Sequence, residues 1–143
     1  MRAIQVNEIT RNIKEMCIEA NHFLSADMEK TMKNAVQCEE SPLGRQILEQ
    51  LQENLRIAGN DMIPICQDTG IVNIFLKVGM NVRWEGFSGS IHDAVNEGVR
   101  RAYTFPENKL RASVVNDPQF ERKNTKDNTP AIITMDIVPG DTV

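Results

Sequence analysis

Apolar residues at Ile9, Ile13, Met16, Cys17, Ala20 and Phe23 recur at steps of three and four, the spacing of one helical face. Asn7 or Thr10 can cap the start of this helix. Ser25 precedes a second helical stretch, "ADMEKTMKNAVQC", with Asp27 in its first turn. Ser41 followed by Pro42 is an N-cap with proline at the first helical position. Leu43, Ile47, Leu48, Leu51, Leu55 and Ala58 carry a third helix from there to a stop at Gly59-Asn60.

The period then changes. "IVNIFLKVGMNV", residues 71–82, is rich in β-branched and aromatic residues and reads as a strand, with Gly79 bending it or opening a turn. Ser90 can cap a helix from Ile91 to about Tyr103, whose inner face is Ile91, Ala94, Val95, Gly98, Val99 and Ala102. Glycine costs helix stability relative to alanine, so Gly98 predicts close packing. "LRASVV" reads as a short strand, "NDPQFERKNTKDNTP" as a long polar loop, and "AIITMDIV" as a further strand ending in a "PGD" turn. The pattern predicts an α+β fold: N-terminal helices followed by a mixed sheet with a packed helix. The last strand, residues 131–138, is expected to lack a sheet neighbour, and its open edge favours self-association.

Composition narrows the function classes. The 143 residues suffice for one domain with a real core. A net charge of −4 leaves no basic surplus for nucleic acid. No apolar run approaches the roughly 20 residues of a membrane span, and "MRAIQVNEIT" lacks the apolar core of a secretory signal. Cys17, Cys38 and Cys66 are odd in number and widely spaced, which points away from a disulfide framework and toward a reducing cytoplasm. Nor is their spacing that of a zinc finger.

Candidate chemistry concentrates in "IPICQDTG", residues 63–70. Cys66 stands at the edge of an apolar run, followed by an amide, a carboxylate and a hydroxyl. The segment admits three readings. It can be a strand-entry turn in which Asp68 and Thr69 bond local backbone. Cys66 can be a nucleophile, which wants a histidine; His22 and His92 read as surface or helix-terminus residues. Cys66 can also be a metal or cluster ligand whose companions lie elsewhere. Cys17 and Cys38 read as packing or incidental cysteines. Arg111 is either a surface ion-pair residue or a bidentate clamp on a carboxylate, a task that guanidinium geometry suits. Asn124, Thr125, Asp127, Asn128 and Thr129 read as nested turns, with ligand contact as the alternative.

"IPICQDTG", "DAVNEGVRRAY", "LRASVVNDP", "RKNTKDNTPAII" and "DIVPGD" occur in an order and spacing that resembles the class I, iron–sulfur fumarate hydratases. The resemblance runs over nearly the whole chain, including "ESPLGRQILEQLQENLRIA", and is to the N-terminal part of the α subunit. It implies reversible hydration of fumarate to L-malate at a 4Fe–4S cluster. By the resemblance Cys66 is one of three thiolate ligands, Gln67 and Asp68 contact substrate, and Arg111 holds a substrate carboxylate. In the family the other two cluster cysteines and a glycine-rich loop follow the position of Val143. The proton-transferring residues belong to the β subunit or C-terminal domain. The resemblance therefore implies residues 1–143 to be a truncated part of the enzyme, with no catalytic residue of its own. Such a part would be inactive alone, would not retain the cluster, and would belong to an oligomer. Tartrate dehydratase α subunits share the Cys-Gln-Asp-Thr-Gly core and are the nearest alternative. A non-catalytic interaction module on the same scaffold is a third, from a different class.

Overall fold

The computed structural model describes residues 1–67, 70–86 and 88–143; Asp68, Thr69 and Phe87 lie outside the description. Two helices of different origin in the chain make its centre: α1, Val6–His22, and α4, Ile91–Thr104. Gly98 permits their approach. A Cβ at that position would lie 2.7 Å from the Thr10 carbonyl oxygen and 2.8 Å from the Ile13 Cβ. Thr10, buried, returns a hydrogen bond from its hydroxyl to the Ala94 carbonyl at 3.0 Å. The close packing expected of Gly98 is thus observed.

The α4 start is as the sequence predicts. The Ser90 hydroxyl accepts from the Asp93 N–H at 3.2 Å, and the Asp93 carboxylate accepts from the Ser90 N–H at 2.9 Å, a closed capping box. Ser41 likewise caps α3, Pro42–Asp61, by accepting from Gly44 N–H at 3.3 Å. Helix α3 runs one residue beyond the Gly59-Asn60 stop, to Asp61, and its C-cap Met62 is in the left-handed region. Helix α2, Ala26–Cys38, occupies the second helical stretch; its Ser25 makes no side-chain capping bond to the backbone.

Two strands of four residues each were not legible. The first five residues contain β1, Arg2–Gln5, which pairs in parallel with β3, Val82–Glu85. The single strand expected over 71–82 is instead β2, Asn73–Gly79, a turn at Met80-Asn81, and β3. Gly79 ends β2 where Gly140 crosses it, so close that an added Cβ would meet the Gly140 carbonyl at 2.5 Å. Strand β6, Ile132–Val138, runs parallel to β2 over its whole length, from Asn73 beside Ile132 to Gly79 beside Val138. Among the described residues β6 pairs with no other strand. "LRASVV" yields only a two-residue strand β4, Val115–Asn116, against β5, Lys123–Asn124.

The core joins Ile9, Ile13 and Cys17 of α1 to Val95, Val99 and Ala102 of α4, the inner face of β2 (Ile74, Leu76, Val78), and Ile4 of β1. Alternation along β2 places Phe75 on the outer face, 81% exposed. The inner stripe of α1 is Val6, Ile9, Thr10, Ile13 and Cys17; Met16, Ala20 and Phe23, expected on it, are exposed. On α3 only Ala58 is buried, and Leu43, Ile47 and Leu51 face outward, because α2 and α3 pack chiefly on each other. Among the described residues no helix is long and apolar enough to cross a membrane.

Candidate functional site

Cys66 lies exposed in the loop between α3 and β2, a free thiol. That loop is held at the residue before it. The Ile65 N–H donates to the Asn21 carbonyl near the end of α1 at 2.8 Å, and the Ile65 carbonyl accepts from Asn54 Nδ2 of α3 at 2.9 Å. With Pro64 buried on the same stretch, the chain enters Cys66 from a fixed direction while the thiol itself faces solvent.

Beyond Cys66 the loop meets the 110–115 segment at two points. Arg111 Nη1 approaches the Gln67 carbonyl at 3.4 Å, and Ser113 Oγ donates to the Gly70 carbonyl at 3.0 Å. The first is long for a hydrogen bond. Arg111 is exposed and has no carboxylate partner among the described residues, unlike the ordinary surface arginine paired with an acid. The structure therefore brings Gln67 and Arg111 together beside Cys66. Asp68, the remaining candidate, lies outside the described residues.

The 111–114 segment is itself seated by the polar loop that follows. Asn128, 1% exposed, accepts at Oδ1 from both the Ser113 N–H (2.8 Å) and the Val114 N–H (3.1 Å). Asn124 Nδ2 donates to the Ala112 carbonyl at 2.9 Å, and the Thr125 N–H to the Val114 carbonyl at 2.9 Å. The nested turns expected in this loop do occur: Asn124 Oδ1 accepts from Lys126 N–H, and Asp127 Oδ1 from Thr129 N–H. The long-range bonds of Asn124 and Asn128 were not legible, because an Asn suited to a local turn has the same composition as one that reaches a neighbouring segment.

A polar cleft of about 340 Å³ opens between α4 and this loop. Arg100 donates there to Asp127 at 3.0 Å and to Glu97 at 2.9 Å. Partial burial by itself raises the Asp127 carboxyl, but hydrogen bonds from Thr129 and Arg100 outweigh it and hold Asp127 below its ordinary value. A larger hollow of about 450 Å³ between α2 and α3 contains none of the candidate residues.

The remaining cysteines and the histidines stand apart. Cys17 is buried in the core, and burial pushes its thiol up to about 11, which disfavours a thiolate. Cys38 is exposed at the end of α2. His22, expected at a surface or helix terminus, ends α1 but is 1% exposed, donating from Nδ1 to the Ile18 carbonyl at 2.6 Å. His92 is exposed in the first turn of α4. Neither histidine is hydrogen-bonded to Cys66, so the nucleophile reading finds no histidine base among the described residues. Among the described residues no group of three His, Cys, Asp or Glu is placed to hold a metal ion. Cys66 is thus an accessible thiol, whereas Cys17 is enclosed by the core.

Residues 10–143 match the family model described as fumarate hydratase (Fumerase). The chain is also 32% identical over 121 residues to a Methanocaldococcus jannaschii protein provisionally named L(+)-tartrate dehydratase subunit alpha, a match covering 85% of this chain and 41% of that one. It is 29% identical over 123 residues to fumarate hydratase 2 of Leishmania major, covering 85% of this chain and 21% of that one. It is 25% identical over 134 residues to L(+)-tartrate dehydratase subunit alpha of Escherichia coli K12, covering 94% and 43%. The chain therefore spans about two-fifths of the tartrate dehydratase subunits and one-fifth of the Leishmania enzyme.

Proposed function

This chain belongs to the fumarate hydratase family, and we propose that it forms the N-terminal part of the α subunit of a class I, iron–sulfur hydro-lyase that reversibly hydrates fumarate to L-malate. The observation that carries this reading is the meeting of the Cys66–Gln67 loop with Arg111, a cationic side chain with no acid partner among the described residues.

A dicarboxylate needs a fixed cation and a polar surface beside it. Arg111 supplies the cation, and its planar guanidinium can take one carboxylate through two parallel hydrogen bonds. The exposed Gln67 side chain carries both a donor and an acceptor, which suits a hydroxyl or the second carboxylate oxygen. Asp68 is assigned to substrate contact by its place in the motif. Cys66 is assigned as one thiolate ligand of a 4Fe–4S cluster, supported by its exposure and by the pinned Ile65 before it. A bound cluster would supply Lewis-acid chemistry toward a substrate oxygen. By the family resemblance, the reading assigns the other two thiolates to the part of the α subunit that follows the position of Val143, and the proton-transferring groups to the β subunit or C-terminal domain. The reading thus includes a β subunit or C-terminal domain as partner, an oligomeric cytoplasmic enzyme, and an isolated chain without turnover.

Tartrate dehydration is the second reading, favoured by the names of the Methanocaldococcus and Escherichia relatives. Anaerobic assay of the complete cluster-loaded enzyme on both substrates separates the two. Fumarate hydration exceeding tartrate dehydration supports the first reading. Strong turnover of tartrate with none of fumarate replaces it with the second.

A further inference from the structure

We propose that Asn128 is the positioning residue for the carboxylate clamp, setting where Arg111 stands relative to the Cys66–Gln67 loop. The inference rests on the hydro-lyase reading, because that reading gives Arg111 a dicarboxylate to hold.

The geometry is a chain of three links. Asn128 Oδ1 takes two consecutive amides, Ser113 N–H and Val114 N–H, and thereby fixes the backbone immediately after Arg111 and Ala112. Ser113, so placed, donates from Oγ to the Gly70 carbonyl at the far end of the Cys-Gln-Asp-Thr-Gly motif. Arg111 reaches the near end, at the Gln67 carbonyl. One buried side chain therefore ties down a segment that touches the candidate site's loop at both ends.

The residue type matches the task. Asn128 has φ +58°, a left-handed conformation that asparagine tolerates better than most residues. Its amide oxygen has two lone pairs, enough for both N–H groups. Removal of that oxygen leaves two amides of the clamp segment without partners, and the segment must shift to recover them. Such a shift weakens the hold on the substrate carboxylate in ground state and transition state alike, which raises KM and spares kcat. A purely structural asparagine lowers the folded fraction and leaves KM alone.

The test compares the complete cluster-loaded enzyme in wild-type form with Asn128→Gly and Asn128→Asp. Glycine keeps the left-handed backbone accessible and deletes the acceptor, whereas aspartate restores it. Asn128→Gly is expected to raise KM for fumarate on the order of tenfold, as loss of an outer supporting contact does. Its kcat and iron–sulfur absorbance should stay unchanged, and hydrogen exchange at the Ser113 and Val114 amides should quicken. Asn128→Asp should return KM and exchange toward wild type. An unchanged KM in Asn128→Gly, or a raised KM that aspartate does not rescue, overturns the proposal. If Asn128→Gly does not fold, Ser113→Ala breaks the link to Gly70 instead; a raised KM supports the coupling and an unchanged one overturns it. Wild-type enzyme that turns over neither fumarate nor tartrate defeats the hydro-lyase reading and this inference with it. Active wild type with an unaffected glycine variant defeats the positioning role alone.

Discussion

Arg111 and Gln67 stand 44 residues apart in sequence, and in the folded chain the guanidinium Nη1 lies 3.4 Å from the Gln67 carbonyl oxygen. A contact of that length holds the arginine loosely beside the loop and leaves it able to turn to a carboxylate. Arg111→Lys keeps the charge and loses the fork. Because Arg111 is exposed, the variant should fold as wild type. In the complete enzyme KM for the dicarboxylate should rise about tenfold for a charge-assisted hydrogen bond lost. Steady-state kinetics at fixed pH checks this, and an unchanged KM removes Arg111 from the clamp.

Gly98→Ala should destabilise the fold despite the better helix propensity of alanine. The propensity gain is about 1 kcal/mol, against roughly 1–3 kcal/mol for overpacking a tight core contact. Here the obstacle is the Thr10 backbone carbonyl at 2.7 Å, which cannot swing aside as a flexible side chain would. The denaturation midpoint of the variant should fall; a rise would show that α1 and α4 can separate without cost.

The three cysteines should divide by burial. Under native conditions an alkylating reagent should modify Cys66 and Cys38, which are exposed, and spare Cys17, which is buried with its thiol pushed up to about 11. Cys17 should react only on unfolding. Mass spectrometry of labelled peptides reads the result, and early labelling of Cys17 would contradict the α1–α4 packing.

The Asp127–Arg100 pair gives a pH signature. The Asp127 carboxyl lies below its ordinary value in the folded chain, so its contribution is present above the unfolded carboxylate range, near pH 4. That contribution is lost as pH falls through the lower folded value. Asp127→Asn should therefore be less stable than wild type near neutrality, and the gap should narrow under acid. Added salt should also narrow it, since Arg100 is largely exposed and screened. Chemical denaturation across pH 3 to 7 tests the sign; a gap that widens under acid contradicts it.

Local chemistry made part of this structure readable. Ser90 with Asp93 and Ser41 with Pro42 carry their capping function in adjacent residues, and both helices begin where those residues stand. The β-branched runs of β2 and β6 likewise announce strands. What escaped depends on partners far along the chain. Strand β1 is four residues long and exists through β3, about eighty positions away. The exposed Leu43, Ile47 and Leu51 belong to an amphipathic helix whose pattern says nothing about what covers it. At the site, Cys66, Gln67 and Arg111 were visible as residue types, and the fold brings them to one place. The Asn128, Asn54 and Asn21 contacts that hold that place were invisible, since each joins a side chain or carbonyl to backbone of a distant segment.

Cys66→Ser in the complete enzyme tests the assignment of Cys66 as a cluster ligand. The side chain is exposed, so the variant should match wild type in circular dichroism and thermal midpoint. Measured anaerobically for bound iron, it should have lost its iron–sulfur absorbance and its hydratase turnover together. A folded Cys66→Ser enzyme that keeps its full complement of iron and its turnover would show that Cys66 is not a ligand.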